Sequence, residues 1–245
     1  MATPKILSFG KSDPGLKRSN NEDIFLIRSE LGLDLLADGM GGAAGGEVAS
    51  RLFAQTVTEV FSESGGFNEE QGLELLRSSF ELANRRILAQ VSDNPHLHGM
   101  GCTAELLVFF DRRFVVGHVG DSRTYIYRQG RLRQLTKDHS LVQDQVDEGL
   151  ITPDQARTHR LRNVILRAVG VHDVIAVDFV RGNVAKGDLF LLCSDGLTDM
   201  LEDGDIEKVL SSRWTLPEKV EKLIASANAA GGRDNVTVVL SEVQD

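Results

Sequence analysis

The apolar segments at 103–110, 114–120, 124–128 and 132–135 follow one another with only short turns between them, such as Gln129-Gly130. Strands joined this closely must pair antiparallel, because a parallel neighbour needs a long crossover. That spacing rules against a Rossmann-type alternation of strand and helix. Further strand patterns lie at 5–9, 24–28 and 33–37, separated at first by a polar loop at 10–23, and again at 175–180, 188–193 and 236–243. Between the two groups the period changes. Val48, Leu52, Phe53, Val57, Val60 and Phe61 recur at helical spacing, as do Leu73, Leu76, Phe80, Ala83, Ile87 and Leu88. Asn68 with Gln71 three residues on is a capping pair for the second helix. A polar stretch at 136–165 holds a helical piece around Pro153, and two more helical segments precede the last strand, Pro217 standing near the start of the second. Hairpins with helices grouped between them predict an α+β fold of antiparallel sheets covered by helices. No linker, repeat or biased tract interrupts 1–245, which predicts a single domain.

Charge narrows the function. The 27 Lys and Arg against 36 Asp and Glu give −9, a surface that repels a nucleic-acid backbone. The 2 cysteines, Cys102 and Cys193, sit in apolar runs and read as buried thiols rather than a disulfide or zinc framework. Apolar runs no longer than 106–110 cannot span a bilayer. The first residues lack a secretory pattern. These features predict a cytoplasmic protein with no membrane span and no nucleic-acid partner.

The position of Asp is the informative pattern. Leu35-Leu36-Ala37-Asp38-Gly39 is an apolar strand ending in Asp-Gly; Val119-Gly120-Asp121 and Leu192-Cys193-Ser194-Asp195-Gly196 repeat the arrangement. Asp234 stands just before the last strand, and Glu22-Asp23 before the second. Asp-Gly is a common turn dipeptide, but its repetition after apolar strands offers several carboxylates to one place. Converging carboxylates need a cation, and all-oxygen ligation suits Mg²⁺, Mn²⁺ or Ca²⁺. Two other motifs compete. Gly39-Met40-Gly41-Gly42-Ala43-Ala44 has the form of a dinucleotide loop, with Glu59 as a ribose acid. Asp38 would oppose a pyrophosphate there, and Glu59 falls within a helix. Gly10-Lys11-Ser12 ends like a P-loop, but Lys5 occupies the position of its first Gly.

The ordered set Arg18-Ser19-Asn20-Asn21-Glu22-Asp23, Ala37-Asp38-Gly39-Met40-Gly41-Gly42, Gly120-Asp121-Ser122-Arg123, Ser194-Asp195-Gly196 and Asp234-Asn235-Val236-Thr237 resembles the bacterial PP2C-type (PPM) Ser/Thr protein phosphatases. The resemblance runs from Arg18 to Thr237. It implies an α-β-β-α sandwich, two antiparallel sheets flanked by helices, with 136–165 as a flap. It implies hydrolysis of phosphoserine and phosphothreonine on proteins by a metal-activated water, in opposition to a cognate Ser/Thr kinase, by a monomer. By the same resemblance, Asp38 bridges two Mn²⁺ or Mg²⁺ ions and positions their water, and the Gly39 carbonyl holds the second ion. Asp195 and Asp234 complete the first ion's protein ligands, and Glu22 and Asp23 stand by the second through water. Asp121 holds a third, weaker ion with Asp195, and Arg18 binds phosphate. Such a reaction needs no covalent phosphoenzyme, and two cations with a guanidinium fork match the charge of the reacting phosphoryl group.

One departure matters. Where many family members have a His proposed to protonate the leaving oxygen, this chain has Met40, which carries no proton to give. His139 and His159, in or beside the flap, read either as exposed loop residues or as groups that approach a substrate, the first being favoured; His118, in a strand beside the Asp121 motif, reads as structural or as standing behind that metal site. Arg123 is read either as orienting Asp121 or as a surface ion pair, Asn235 as fixing its loop, Trp214 as packing and Gly45-Gly46 as the start of a helix. The alternatives are a non-catalytic phosphoprotein-binding module on the same scaffold and a two-metal nuclease. The intact acids count against the first, and the lack of basic clusters against the second.

Overall fold

In the computed structural model the described residues, 5–41, 45–62 and 67–244, build two antiparallel sheets between helices. The strands are β1 (Ile6–Asp13), β2 (Asp23–Arg28), β3 (Leu33–Met40), β4 (Gly101–Cys102), β5 (Ala104–Phe110), β6 (Arg113–Val119), β7 (Arg123–Arg128), β8 (Arg131–Gln134), β9 (Asp178–Asn183), β10 (Leu189–Cys193) and β11 (Val236–Val243). The helices are α1 (Gly45–Ser62), α2 (Glu69–Asp93), α3 (Leu141–Asp147), α4 (Pro153–Thr158), α5 (Asp195–Thr198), α6 (Asp203–Leu210) and α7 (Leu216–Ala229). One sheet runs β1-β11-β10-β7-β8; the other runs β2-β3-β5-β6-β9, with β4 on β3. Every paired register is antiparallel, as the short turns require.

The continuous apolar runs reflect strands buried on both faces. Along β5, Leu106, Val108 and Phe110 join the core beneath α1 and α2, while Leu107 and Phe109 turn into the layer between the sheets. Along β10, Leu189, Leu191 and Cys193 meet the helices that follow it, while Phe190 and Leu192 face the other sheet. Phe190 lies edge-on to Phe109 and Phe114, with centroids 5.2 and 4.8 Å apart. Alternation of side chains along a strand thus fills three apolar layers, the cores of an α-β-β-α sandwich.

Four local readings are corrected. The first strand continues through Lys11, Ser12 and Asp13, because main-chain pairing with β11 persists to Asp13↔Val236 whatever the side chains. The strand expected at 175–180 begins at Asp178, the partner of His118; Ile175 and Val177 are apolar because they pack on the helix-side core. Three helices, not two, separate β10 from β11, since Asp195–Thr198 forms a turn of its own. Trp214 is 45% exposed rather than packed inside. Both cysteines are free and buried. Asn68 and Gln71 form the reciprocal cap on α2.

Candidate active site

The register gathers the acids. Asp23 pairs with Asp38 across β2 and β3. The end of β10 pairs Cys193 with Arg123 and Val238, bringing the residues after β10, before β7 and before β11 to one edge of the sandwich. Arg18, Asn20, Glu22, Asp38, Gly39, Met40, Gly41, Asp121, Asn163, Ile165, Asp195, Asp234 and Asn235 line a cleft of about 410 Å³ there. A second cleft of about 490 Å³ adjoins it under the flap and shares Asp121, Asn163 and Asp195.

Each acid is held from behind. The Asp38 N–H donates to Thr103 Oγ1 (3.1 Å), and the Asp38 carbonyl accepts from the Thr103 N–H (2.8 Å). The Gly39 N–H donates to the Glu22 carbonyl, and a Cβ on Gly39 would lie 2.2 Å from the Gly46 carbonyl oxygen. Only glycine lets the start of α1 pack so closely on the strand end. The residues 42–44 of the glycine-rich stretch lie outside the described residues. Asp195 opens α5 directly after β10. Asn235 ties the loop before β11 to the β1–β2 loop: its Nδ2 donates to the carbonyls of Pro14 (3.1 Å) and Asn20 (2.9 Å), and its Oδ1 accepts the Glu22 N–H (2.9 Å). Asp23 Oδ2 accepts from the hydroxyls of Ser194 (2.8 Å) and Thr237 (2.6 Å), while its buried Oδ1 has no hydrogen-bond partner. Arg18, exposed on the rim, donates from Nη2 to Asp234 Oδ2 at 2.7 Å.

Proton affinities report the crowding. Burial, then the charges of Asp23, Asp195, Asp121 and Asp234, holds the Asp38 carboxyl well above the ordinary range. Burial and then Asp121, Asp199 and Asp234 do the same at Asp195. Burial first, and then Asp138, brings Asp121 to about 7, against the pull of Arg123. Burial brings Asp23 to about 6, its hydroxyl donors opposing. The donor set therefore fits hard divalent cations: it is all oxygen, desolvated and short of positive charge. Among the described residues, no three His, Cys, Asp or Glu side chains are drawn together enough to hold a metal ion as they stand. Bare carboxylates repel one another; here Asp234 leans on Arg18 and Asp23 on its two hydroxyls.

The family model for protein phosphatase 2C matches residues 17–237. The chain belongs to the protein phosphatase 2C family. This phosphatase 2C chain is 42% identical over 238 residues to the serine/threonine protein phosphatase PstP of Mycobacterium tuberculosis, covering 96% of itself and 44% of that protein. It therefore spans less than half the length of that relative. It is 36% identical to the serine/threonine phosphatase stp of Listeria monocytogenes over 236 residues, 95% of one chain and 94% of the other. The crystal structure of the PstP catalytic domain in complex with two manganese ions superposes with a TM-score of 0.89 at 40% identity, covering 98% of this chain and 99% of that one.

Several neighbours carried no sequence signal. Asn163 and Ile165 reach the cleft from the flap, and Asp199 acts electrostatically on both Asp121 and Asp195. Arg123 does not orient Asp121. Its Nε and Nη2 grip both oxygens of Asp138, at 2.8 and 2.7 Å. His139 is buried rather than an exposed loop residue, and His118 is buried against Glu105 and the Lys137 carbonyl.

Proposed function

We propose that this chain is a metal-dependent protein serine/threonine phosphatase that hydrolyses phosphoserine and phosphothreonine monoesters. The observation that carries the reading is the delivery of Asp38, Asp121, Asp195, Asp234 and Glu22 from separate strand ends to one cleft with an arginine on its rim. Two Mn²⁺ or Mg²⁺ ions, when bound, supply Lewis acidity that acidifies water and offsets phosphoryl charge. Asp38 would serve both ions, the Gly39 carbonyl the second, Asp195 and Asp234 the first, Glu22 and Asp23 the second through water, and Asp121 with Asp195 a third and weaker one. The two manganese ions in the PstP catalytic-domain structure support a two-metal site of this kind.

The chain's own groups do the rest. The Arg18 guanidinium offers two parallel N–H donors to phosphate oxygens, and the exposure of its ion pair with Asp234 makes that partner cheap to exchange. Met40 lines the cleft but donates no proton, so the departing serine or threonine oxygen takes its proton from elsewhere. The walls from Thr103, Asn235 and Gly46 keep the acids in register. The full complement of acids favours an enzyme over a non-catalytic phosphoprotein-binding module.

The continuous sheets support one catalytic domain across 1–245. We further infer phosphoprotein substrates placed there by a cognate Ser/Thr kinase, action as a monomer and a cytoplasmic setting. Among the described residues no helix is long and apolar enough to cross a membrane. The deciding experiment compares hydrolysis of a phosphothreonine peptide and an aryl phosphate with Mn²⁺, with Mg²⁺ and with chelator. Metal-dependent turnover of both is expected; phosphopeptide binding without turnover at any metal concentration would transfer the reading to the binding module.

A further inference from the structure

His139 lies behind the acidic cleft and belongs to none of the ligands assigned above. Its backbone N–H donates to the Gly120 carbonyl (2.7 Å), and the Gly120 N–H donates back to His139 Nδ1 (3.1 Å). Gly120 immediately precedes Asp121 and has φ +115°, with its Cα packed so close to Thr103 that a Cβ would sit 2.6 Å from that side chain. This loop therefore has little other freedom, and His139 closes its remaining side.

The same residue closes the flap. The His139 carbonyl accepts the Leu166 N–H (2.7 Å), and next to it the Leu141 N–H donates to the Val164 carbonyl (2.9 Å), so the outgoing and returning limbs of 136–165 meet at this point. Ile165, inside that seam, and Asn163, at its edge, line the cleft.

The ring's orientation is over-determined. Because Nδ1 accepts from Gly120, the proton sits on Nε2, which donates to Asp178 Oδ2 at 3.2 Å. Arg167 steadies that carboxylate through Asp178 Oδ1, also at 3.2 Å. The ring packs at a tilt of 37° against His118, centroids 4.5 Å apart. His118 is itself fixed by the Lys137 carbonyl at 2.8 Å and by buried Glu105, which also receives Thr124 Oγ1. A buried imidazole with a carboxylate on one nitrogen and a backbone N–H on the other is built to hold geometry, in the way that groups behind a metal ligand orient it.

We propose that His139 is a positioning residue that locks the Gly120–Asp121 loop to the base of the flap and so sets how Asp121 meets a cation. The proposal rests on the reading of Asp121 as the ligand of the weaker metal. His139 touches neither substrate nor cation; it acts through the Gly120 amide.

The test is Mn²⁺ binding to the full chain without substrate, followed by electron paramagnetic resonance of the free ion, on the native protein and on His139→Gln, His139→Asn and Asp121→Asn. The Gln amide reaches toward Asp178 but leaves the Gly120 N–H unpaired, so the weakest Mn²⁺ site loses about tenfold in affinity. The Asn side-chain oxygen stands where Nδ1 stood and restores most of that loss. Native-like binding in His139→Gln, or equal losses in Gln and Asn, overturns the proposal. Native-like binding in Asp121→Asn overturns instead the cation reading beneath it. Should His139→Gln fail to fold, ¹⁵N resonance of the native side chain decides: a bare Nδ1 is expected, and a protonated Nδ1 overturns the lock.

Discussion

Asp195 begins α5 at the end of a strand buried on both faces, with Gly196 pressed against Asn235 so tightly that a Cβ would lie 1.9 Å from its carbonyl oxygen. Asp195→Asn keeps the shape and removes the charge. Turnover should fall by several orders of magnitude, while the metal-free melting temperature should hold or rise, because a crowded, buried carboxylate has been neutralised. A variant with native kcat would remove Asp195 from the site. Asp34 isolates the cost of burial away from the cleft. Its Oδ2 accepts from Ser8 (3.0 Å) and Ser241 (2.6 Å), joining β3 of one sheet to β1 and β11 of the other, and its Oδ1 is buried with no partner. Burial raises its pKa to about 6 against these two donors. A folded pKa above the unfolded value of about 3.9 stabilises the fold most below that value, and the contribution is lost as pH rises through about 6. Asp34→Asn should therefore gain up to roughly 3 kcal/mol at pH 8, a gain that shrinks as pH falls to 4. A pH-independent difference in chemical denaturation would refute this account. Arg123 and His139 show how little a residue's type says of its partner: the choice between Asp121 and Asp138, or between solvent and Gly120, was made by distance in the fold.

The elements obey local rules where the rules are local. The N-terminus of α2 is held by Asn68 Oδ1 accepting the Gln71 N–H (2.9 Å) and by Gln71 Oε1 accepting the Asn68 N–H (3.0 Å). Asn68→Ala should cost about 1 kcal/mol and lower Tm by about 2–4 °C with kcat unchanged, since this end of the helix lies outside the cleft lining. A drop in kcat would mean that α2 reaches the site by a route the contacts do not contain. Helix spacing, this cap and the short hairpin turns were all legible because they depend on neighbours a few residues apart. The extension of β1 through Lys11–Asp13 was not, since its hydrogen bonds go to a strand more than two hundred residues away. The apolar Ile175 and Val177 misled in the opposite sense: burial against a core looks the same in sequence as burial within a sheet.

At the scale of the whole molecule, two sheets back to back bring their acidic ends to one edge, and the fold carries the resulting repulsion. With Asp121 raised to about 7, Asp23 to about 6, and Asp38 and Asp195 also raised, the metal-free fold is stabilised at low pH and loses that stability as pH rises through these values. A divalent cation reverses the trend by replacing the protons. Mn²⁺ should raise Tm more at pH 8 than at pH 5.5, and chelator should abolish both the shift and turnover; an equal shift at both pH values would uncouple the acids from the metal. By itself the sequence determined the antiparallel α+β class, the two long helices α1 and α2 and the set of acids that flank glycine at strand ends, because periodicity, turn length and side-chain chemistry are properties of short segments. Only the tertiary structure decided that Asp234 meets Arg18, that Asn235 binds the β1–β2 loop at three points and that His139 joins the flap to Gly120. The longest of those contacts depend on chain closure across more than two hundred residues, and no local pattern encodes which loops will meet.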